Sequence, residues 1–176
     1  MEDRELVLRI QHGQKEYLNE IAEKYYDDIY YFCCYQTGSR DDAYDLAQET
    51  FLRFIRYVEN YKYKNLKGYL LTIAMNLCRN YSRLKAQEQD HAAETIFEEA
   101  SVSDKTSRES SLLLCEALRT LPPLQREAVL LHHFYGYKNR EIARMTGASC
   151  AAVKSRVNQG ILKLQKILYK EDFYGL

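Results

Sequence analysis

Between Leu121 and Ile167 the chain reads LPPLQREAVLLHHFYGYKNREIARMTGASCAAVKSRVNQGILKLQKI, and its punctuation narrows the possible folds sharply. Pro122 and Pro123 can open a helix, because proline is tolerated where the N–H has no partner. Gly136 can end that helix in a left-handed conformation. A short helix follows with Ile142, Ala143 and Met145 inward. Thr146-Gly147-Ala148 is a tight turn, and Ser149 has the side chain to cap what comes next. Val153, Val157, Ile161, Leu164 and Leu168 then recur at spacings of three and four, one buried stripe of a helix over 149–168. Lys154, Ser155, Arg156, Asn158 and Gln159 fall on or beside the opposite face. These side chains suit phosphates and base edges in a DNA major groove. Two amphipathic helices with a merely solvated charged face would show the same spacing. The short turn centred on Gly147 and the small residues Cys150, Ala151, Ala152 and Ser155 early on the outer side favour the helix-turn-helix.

The chain has 176 residues and no net formal charge. That zero conceals four blocks. Residues 1–60 hold 7 basic and 13 acidic side chains, and residues 61–85 hold 6 basic and none acidic. Residues 86–111 hold 2 basic and 7 acidic, and residues 112–170 hold 10 basic and 3 acidic. Two basic blocks with an acidic one between them point to two nucleic-acid contacts on one chain. No apolar run is long enough to span a membrane. The opening MEDRELVLRIQHG is acidic and lacks an apolar core, unlike a signal peptide. The five cysteines (Cys33, Cys34, Cys78, Cys115, Cys150) are odd in number and form no CxxC pair. Reduced thiols are expected, without a disulfide framework or structural zinc.

The first half also reads as helices, over 4–11, 14–36, 40–57 and 66–87. Gly13 separates the first two, and Thr37-Gly38-Ser39 breaks the second from the third. Asp41 and Asp42 sit where carboxylates favour the positive end of a helix. The third helix has a stripe of Ala43, Leu46, Ala47, Thr50, Phe51, Phe54 and Val58. Its other face carries Asp45, Gln48, Glu49, Leu52, Arg53 and Arg56. Leu52 among charges is either an ordinary exposed leucine or the apolar part of a protein contact. Residues 59–65 form a polar, aromatic loop in which Tyr61 and Tyr63 alternate with Lys62 and Lys64. Rings beside cations suit single-stranded DNA, although tyrosines packed against a neighbouring helix would give the same pattern. The fourth helix turns Leu66, Tyr69, Leu70, Ile73, Ala74, Leu77 and Tyr81 inward, and Lys67, Asn76, Arg79, Asn80, Arg83 and Lys85 outward.

These residues carry a resemblance. GYKNREIARMTGASCAAVKSRVNQGILKL, with LPPLQREAVLL before it, resembles region 4 of bacterial sigma-70-type initiation factors of the extracytoplasmic-function class. DDAYDLAQETFLRFIRYVENY resembles the polymerase-docking helix of region 2, where DAxDLxQETFLR is typical. NLKGYLLTIAMNLCRNYSR is similar to the adjoining segment that melts and reads the minus-ten promoter element. The resemblance covers about 5–85 and 110–170. It implies an all-α chain of two small helical domains: region 2 over 1–87, an acidic linker over 88–110, and region 4 over 111–176.

The resemblance also implies roles. Asp45, Gln48, Glu49 and Leu52 would face the clamp helices of core RNA polymerase. Tyr61, Lys62, Tyr63, Lys64 and Asn65 would capture a flipped minus-ten base, with Asn76, Arg79, Asn80 and Arg83 along the strand. Lys154, Ser155, Arg156, Asn158 and Gln159 would read the minus-thirty-five duplex. Partners would be core polymerase, promoter DNA and an anti-sigma factor, often membrane-bound in this class. A cytoplasmic protein with no membrane insertion and no cofactor is implied. Some positions depart from the family's habit. Tyr69 stands where Trp is frequent, and Thr72 and Met75 where Arg is frequent. Lys138 stands at a capping position usually held by Ser or Thr, with Asn139 as a substitute cap one residue later. Gly160 stands where Ala or Arg is usual, at a cost of about 1 kcal/mol inside a helix. Asn158 and Gln159 replace bulkier or basic residues, so relatives do not supply the promoter sequence.

No Walker loop, GxSxG, HExxH or GxGxxG occurs, so the expected action is binding, not catalysis. His132 and His133 are adjacent, so the two rings should point to different helix faces, a poor metal geometry. Two rival readings remain. A helix-turn-helix regulator dimerising on a palindrome would have its basic blocks on one repeated module. A sequestering interaction protein would act through the Leu52 face with no DNA role for Lys154 or Arg156.

Overall fold

The computed structural model describes residues 1–62, 64–88 and 105–174, and every regular element among them is a helix. The helices are α1 (Asp3–Gln11), α2 (Tyr17–Thr37), α3 (Arg40–Tyr57), α4 (Leu66–Gln87), α5 (Lys105–Thr120), α6 (Pro123–Val129), α7 (Asn139–Thr146) and α8 (Cys150–Tyr174). A 3-10 turn, Val58–Asn60, follows α3, and a π-helical turn, Leu130–Phe134, follows α6. The chain divides into two compact units, Met1–Gln89 and Asp90–Leu176. Tyr63 and most of the stretch expected as a linker lie outside the described residues. α5 begins at Lys105, inside that stretch.

In the first unit α2, α3 and α4 pack on one another, and α1 lies against α2. Ile21, Ile29, Phe32, Phe54, Leu66, Leu70, Leu71 and Met75 are the large side chains sealed inside. The α2–α3 corner is built by local chemistry. Gly38 adopts φ 69° and its N–H bonds the Cys34 carbonyl at 2.8 Å, which only a residue tolerant of the left-handed region does cheaply. Ser39 then caps α3, its hydroxyl accepting the Asp42 N–H at 3.3 Å. Asp42 in turn accepts the Tyr81 hydroxyl at 2.6 Å, which ties the start of α3 to the last part of α4. α1 is fixed by Leu6, Val7 and Ile10 in the core and by Asp3, which takes Lys24 Nζ at 2.6 Å and the Tyr25 hydroxyl.

The buried side of α4 is wider than a single stripe. Leu71, Met75 and Cys78 are as enclosed as Leu70 and Ala74, because α4 meets both α2 and α3. Met75 therefore belongs to the core and takes nothing away from the outer basic side. Cys33 and Cys78 are 3.8 Å apart between sulfurs, and both are buried and reduced. The contact with Cys78 and burial hold the Cys33 thiol well above its ordinary range, and burial pushes Cys34 up to about 11.

The second unit contains a helix that the apolar pattern from Leu121 onward left out. α5 contributes Cys115, Ala117 and Leu118 to a core shared with Leu121, Val129, Leu130, Leu131, Ile142, Val153, Val157 and Leu164. As expected, Pro123 opens α6 and Gly136 (φ 73°) follows its end. In between, the α-helical hydrogen bonds give way at Leu130. The Tyr135 N–H reaches back to the Leu130 carbonyl at 3.2 Å, and the Tyr137 N–H to Leu131 at 3.0 Å. His132 Nδ1 meets the Tyr137 carbonyl at 2.8 Å, so that nitrogen carries the proton. The expectation that the two histidines diverge fails here. Their rings meet edge to face with centroids 4.8 Å apart. Among the described residues, still, no group of three or more metal-ligating side chains forms.

Gly160 is the other correction. A Cβ at that position would lie 2.6 Å from Val129 Cγ2, with the Gln125 carbonyl and Leu121 Cδ1 next nearest. Glycine there is the condition for α6 and α8 to approach so closely, and the helix-propensity cost is the lesser effect. Gly160→Ala should lower stability although alanine is the better helix former. Overpacking of about 1–3 kcal/mol outweighs a propensity gain of about 1 kcal/mol. Urea denaturation of the full chain measures the difference, and equal or higher stability would show that the helices separate without penalty.

A second outcome follows from burial of the thiols. Cys150 alone of the five is exposed. At pH 8 a disulfide reagent should titrate one thiol promptly and the other four only after denaturation. Two or more fast thiols in the native chain would contradict this packing.

Candidate nucleic-acid interface

α3 presents its polar side as one strip. Asp45 and Gln48 are exposed, Glu49 is half-buried, and Leu52 is 56% exposed. Glu49 accepts Arg53 Nε at 2.9 Å, and Gln48 Nε2 donates to the Tyr44 hydroxyl at 2.7 Å. Leu52 is not isolated. Ile55 and Tyr44 on the same helix are 40% and 49% exposed, and Tyr57 is exposed beyond them. Spacings of four, four and three place Tyr44, Gln48, Leu52 and Ile55 along one side. Several apolar groups on one line beside carboxylates favour the protein-contact reading of Leu52 over the solitary leucine. Tyr44 and Ile55 were not among the expected residues. Their i, i+4 and i+3 relation to Gln48 and Leu52 was the available signal.

The loop before α4 divides its residues between structure and surface. Lys62 and Lys64 are exposed. Tyr61 is half-buried, its ring 4.5 Å from Tyr69 and 6.4 Å from Phe54 between centroids. For Tyr61 the packing alternative therefore describes what is seen. Gln11 Nε2 donates to the carbonyls of Val58 and Tyr61, at 2.8 and 3.0 Å, and fixes the loop's entry. Asn65 is the N-cap of α4, its Oδ1 accepting the Gly68 N–H at 3.0 Å. Tyr63 lies outside the described residues. Along α4, Asn76, Asn80 and Arg83 are exposed at spacings of four and three, with Arg79 half-buried beside them. Arg83 Nη2 donates to Asn80 Oδ1 at 3.4 Å, and Lys67 is held by Asp28 at 3.0 Å on the α2 side. The exposed part of this block is a cationic, amide-bearing surface with no exposed acid before Glu88.

In the second unit the helix-turn-helix is formed by α7, the turn at Gly147 (φ 70°) and α8. Ser149 caps α8 as expected, its hydroxyl accepting the Ala152 N–H at 3.1 Å. The cap of α7 differs from expectation. Lys138 is the N-cap residue, and its own N–H is taken by the Glu141 carboxylate at 2.7 Å. Asn139 is already inside the helix and its Oδ1 caps nothing. With Val153, Val157, Gly160 and Leu164 buried, Lys154, Ser155, Asn158 and Gln159 are exposed, whereas Arg156 is half-buried. Gln159 is also engaged, with Gln125 of α6 at 2.9 Å and Ser155 at 3.1 Å. Burial lowers the basicity of His133, more than the adjacent His132 does.

Residues 21–88 match the family model for Sigma-70 region 2, and residues 111–164 match that for Sigma-70, region 4. The chain is 34% identical over 145 residues to the ECF RNA polymerase sigma factor EcfG of Rhodopseudomonas palustris, covering 78% of each. It is 29% identical over 171 residues to the ECF RNA polymerase sigma factor BldN of Streptomyces coelicolor, covering 93% of this chain and 65% of that protein. With the ECF RNA polymerase sigma factor SigE of Mycolicibacterium smegmatis it shares 30% identity over 160 residues, or 62% of that protein. It thus spans less than two thirds of the length of BldN and SigE. Among solved structures, the sigma factor RpoE in complex with the anti-sigma factor NepR, from Bartonella quintana, superposes with a TM-score of 0.73 at 25% identity. That match covers 88% of this chain and 98% of the other.

The Asn65 cap gives a test that needs no DNA. Asn65→Ala should cost about 1 kcal/mol, as loss of an N-cap does, while Asn65→Asp should keep most of it. Thermal unfolding of the full chain checks this. An alanine variant as stable as the parent would show that Asn65 is free for another role.

Proposed function

The chain belongs to the sigma-70 family, in its extracytoplasmic-function class, and from that premise we propose that it binds core RNA polymerase and directs promoter-specific initiation. The observation that carries this is the pairing of two unlike helical units on one chain. One offers an acidic and apolar strip beside a cationic helix, the other a capped helix-turn-helix.

The α3 strip of Asp45, Gln48, Glu49 and Leu52, extended by Tyr44 and Ile55, is the docking surface for polymerase. Lys62, Lys64, Asn76, Asn80 and Arg83 take the phosphates and bases of an opened minus-ten strand, with Arg79 at their edge. Tyr61 and Asn65 shape that loop from within, and Tyr63 belongs to it. Lys154, Ser155, Asn158 and Gln159 face the minus-thirty-five duplex, and Arg156 supports them from the flank. The chain contributes binding and strand capture and leaves bond formation to polymerase, so it is no enzyme. It works in the cytoplasm, in keeping with the lack, among the described residues, of a helix fit to cross a membrane. An anti-sigma factor covering the same faces is its expected antagonist, by analogy with RpoE and NepR.

Run-off transcription with core polymerase and genomic fragments tests the proposal. Specific initiation should appear on adding the chain. Leu52→Glu should reduce it at least tenfold by weakening docking, because a charge would enter an apolar contact. Lys154→Ala should reduce it several-fold and flatten its salt dependence. No initiation, or initiation indifferent to both changes, would refute the assignment.

A further inference from the structure

We propose that Gln125 on α6 is a positioning residue that fixes the direction of hydrogen bonding across α8 and so leaves the Ser155 proton free toward the duplex. This rests on the reading of α8 as the helix that faces duplex DNA. Lys163 Nζ donates to Gln125 Oε1 at 3.1 Å. Gln125 Nε2 donates to Gln159 Oε1 at 2.9 Å. Gln159 Nε2 donates to Ser155 Oγ at 3.1 Å. Four side chains from two helices therefore form one relay.

Its polarity is set at one end. An ammonium has donors and no acceptor, so Lys163 selects the oxygen of Gln125. The amide of Gln125 then offers its nitrogen onward, and Gln159 repeats the step. Ser155 receives a hydrogen bond from Gln159 and keeps its own proton to give and one lone pair to accept with. Two residues on from buried Val153, at about 100° per residue, Ser155 points away from the core. In a major groove, guanine O6 and thymine O4 accept at the edge where adenine N6 and cytosine N4 donate. Ser155 can thus serve guanine or thymine as a donor, and adenine or cytosine as an acceptor, at one position of the upstream element. Gln125 itself need not touch DNA.

Gln125→Glu inverts the relay. A carboxylate at this position has only acceptors, so Lys163 and Gln159 must both donate to it. Gln159 turns its amide, and its oxygen now accepts the Ser155 proton. Ser155 then presents a lone pair outward, which suits adenine N6 or cytosine N4. The experiment is run-off initiation by full chain with core polymerase on promoters carrying each base at each upstream position. Wild type should tolerate guanine or thymine at one position as well as adenine or cytosine. Gln125→Glu should move the ratio at that position at least about fivefold toward adenine or cytosine, the lower end of the discrimination a base contact supplies. Any uniform loss from the added negative charge cancels in the ratio. Gln125→Leu, which interrupts the relay without adding charge, should leave guanine and thymine tolerated there. In a Gln159→Ala background, Gln125→Glu should have no effect on the ratio, because the relay is already cut.

An unchanged ratio in Gln125→Glu overturns the inference, as does the same shift in Gln125→Leu or without Gln159. Failure of the wild-type chain to initiate at all would instead overturn the sigma-factor reading on which it depends.

Discussion

Each unit must bury one side of every helix within itself, because a short amphipathic helix is not stable alone and its apolar stripe needs a partner. That constraint decides what remains outside. In the first unit α4 is enclosed by α2 and α3 over Leu70, Leu71, Ala74, Met75 and Cys78, which leaves its Asn76–Asn80–Arg83 side open to solvent. In the second unit α8 is held so closely by α6 that a Cβ at Gly160 would collide with Val129. The polar face of α8 is therefore presented by a rigidly seated helix. Rigid seating matters for base recognition, where the reward depends on geometry at the level of single hydrogen bonds.

The charge pattern complements this division. The basic residues of 61–85 and of 112–170 lie in different units, and the acidic stretch lies between them in sequence. On α3 the carboxylates Asp45 and Glu49 share a side with Leu52 and Ile55. Acid plus exposed aliphatic surface suits a protein partner, and cation plus amide surface suits nucleic acid. One unit thus carries both kinds of surface, which a palindrome-binding dimer has no use for. This argues against the rival regulator on physical grounds as well as by resemblance.

Much of the fold was legible because it is written in punctuation. Gly38, Ser39, Pro123, Gly136, Gly147 and Ser149 each require a specific backbone state or bond, and each takes it here. What escaped was set by tertiary context. α5 begins inside a stretch whose composition is that of a linker, which masks the helical spacing of Leu114, Ala117 and Leu118. His132 and His133, in the π-helical turn Leu130–Phe134, meet edge to face, a ring contact set by rotamers that spacing does not give. Gly160 looked like a cost because Val129, its reason, lies 31 positions away. Site residues followed the same rule. Lys154, Ser155, Asn158 and Gln159 are exposed as their spacing predicts, but the cap role of Asn65, the packing of Tyr61 and the engagement of Gln159 with Gln125 all arise from neighbours that periodicity does not reveal.

We propose that the two unlike units grip promoter DNA together only when mounted on polymerase. Equilibrium binding of the purified full chain to labelled promoter duplex, with and without core RNA polymerase, tests it most directly. The account predicts tight, sequence-specific binding with polymerase and weak, salt-sensitive binding without it. Tight binding of the chain alone to a two-fold symmetric site, unaltered by polymerase, would contradict it.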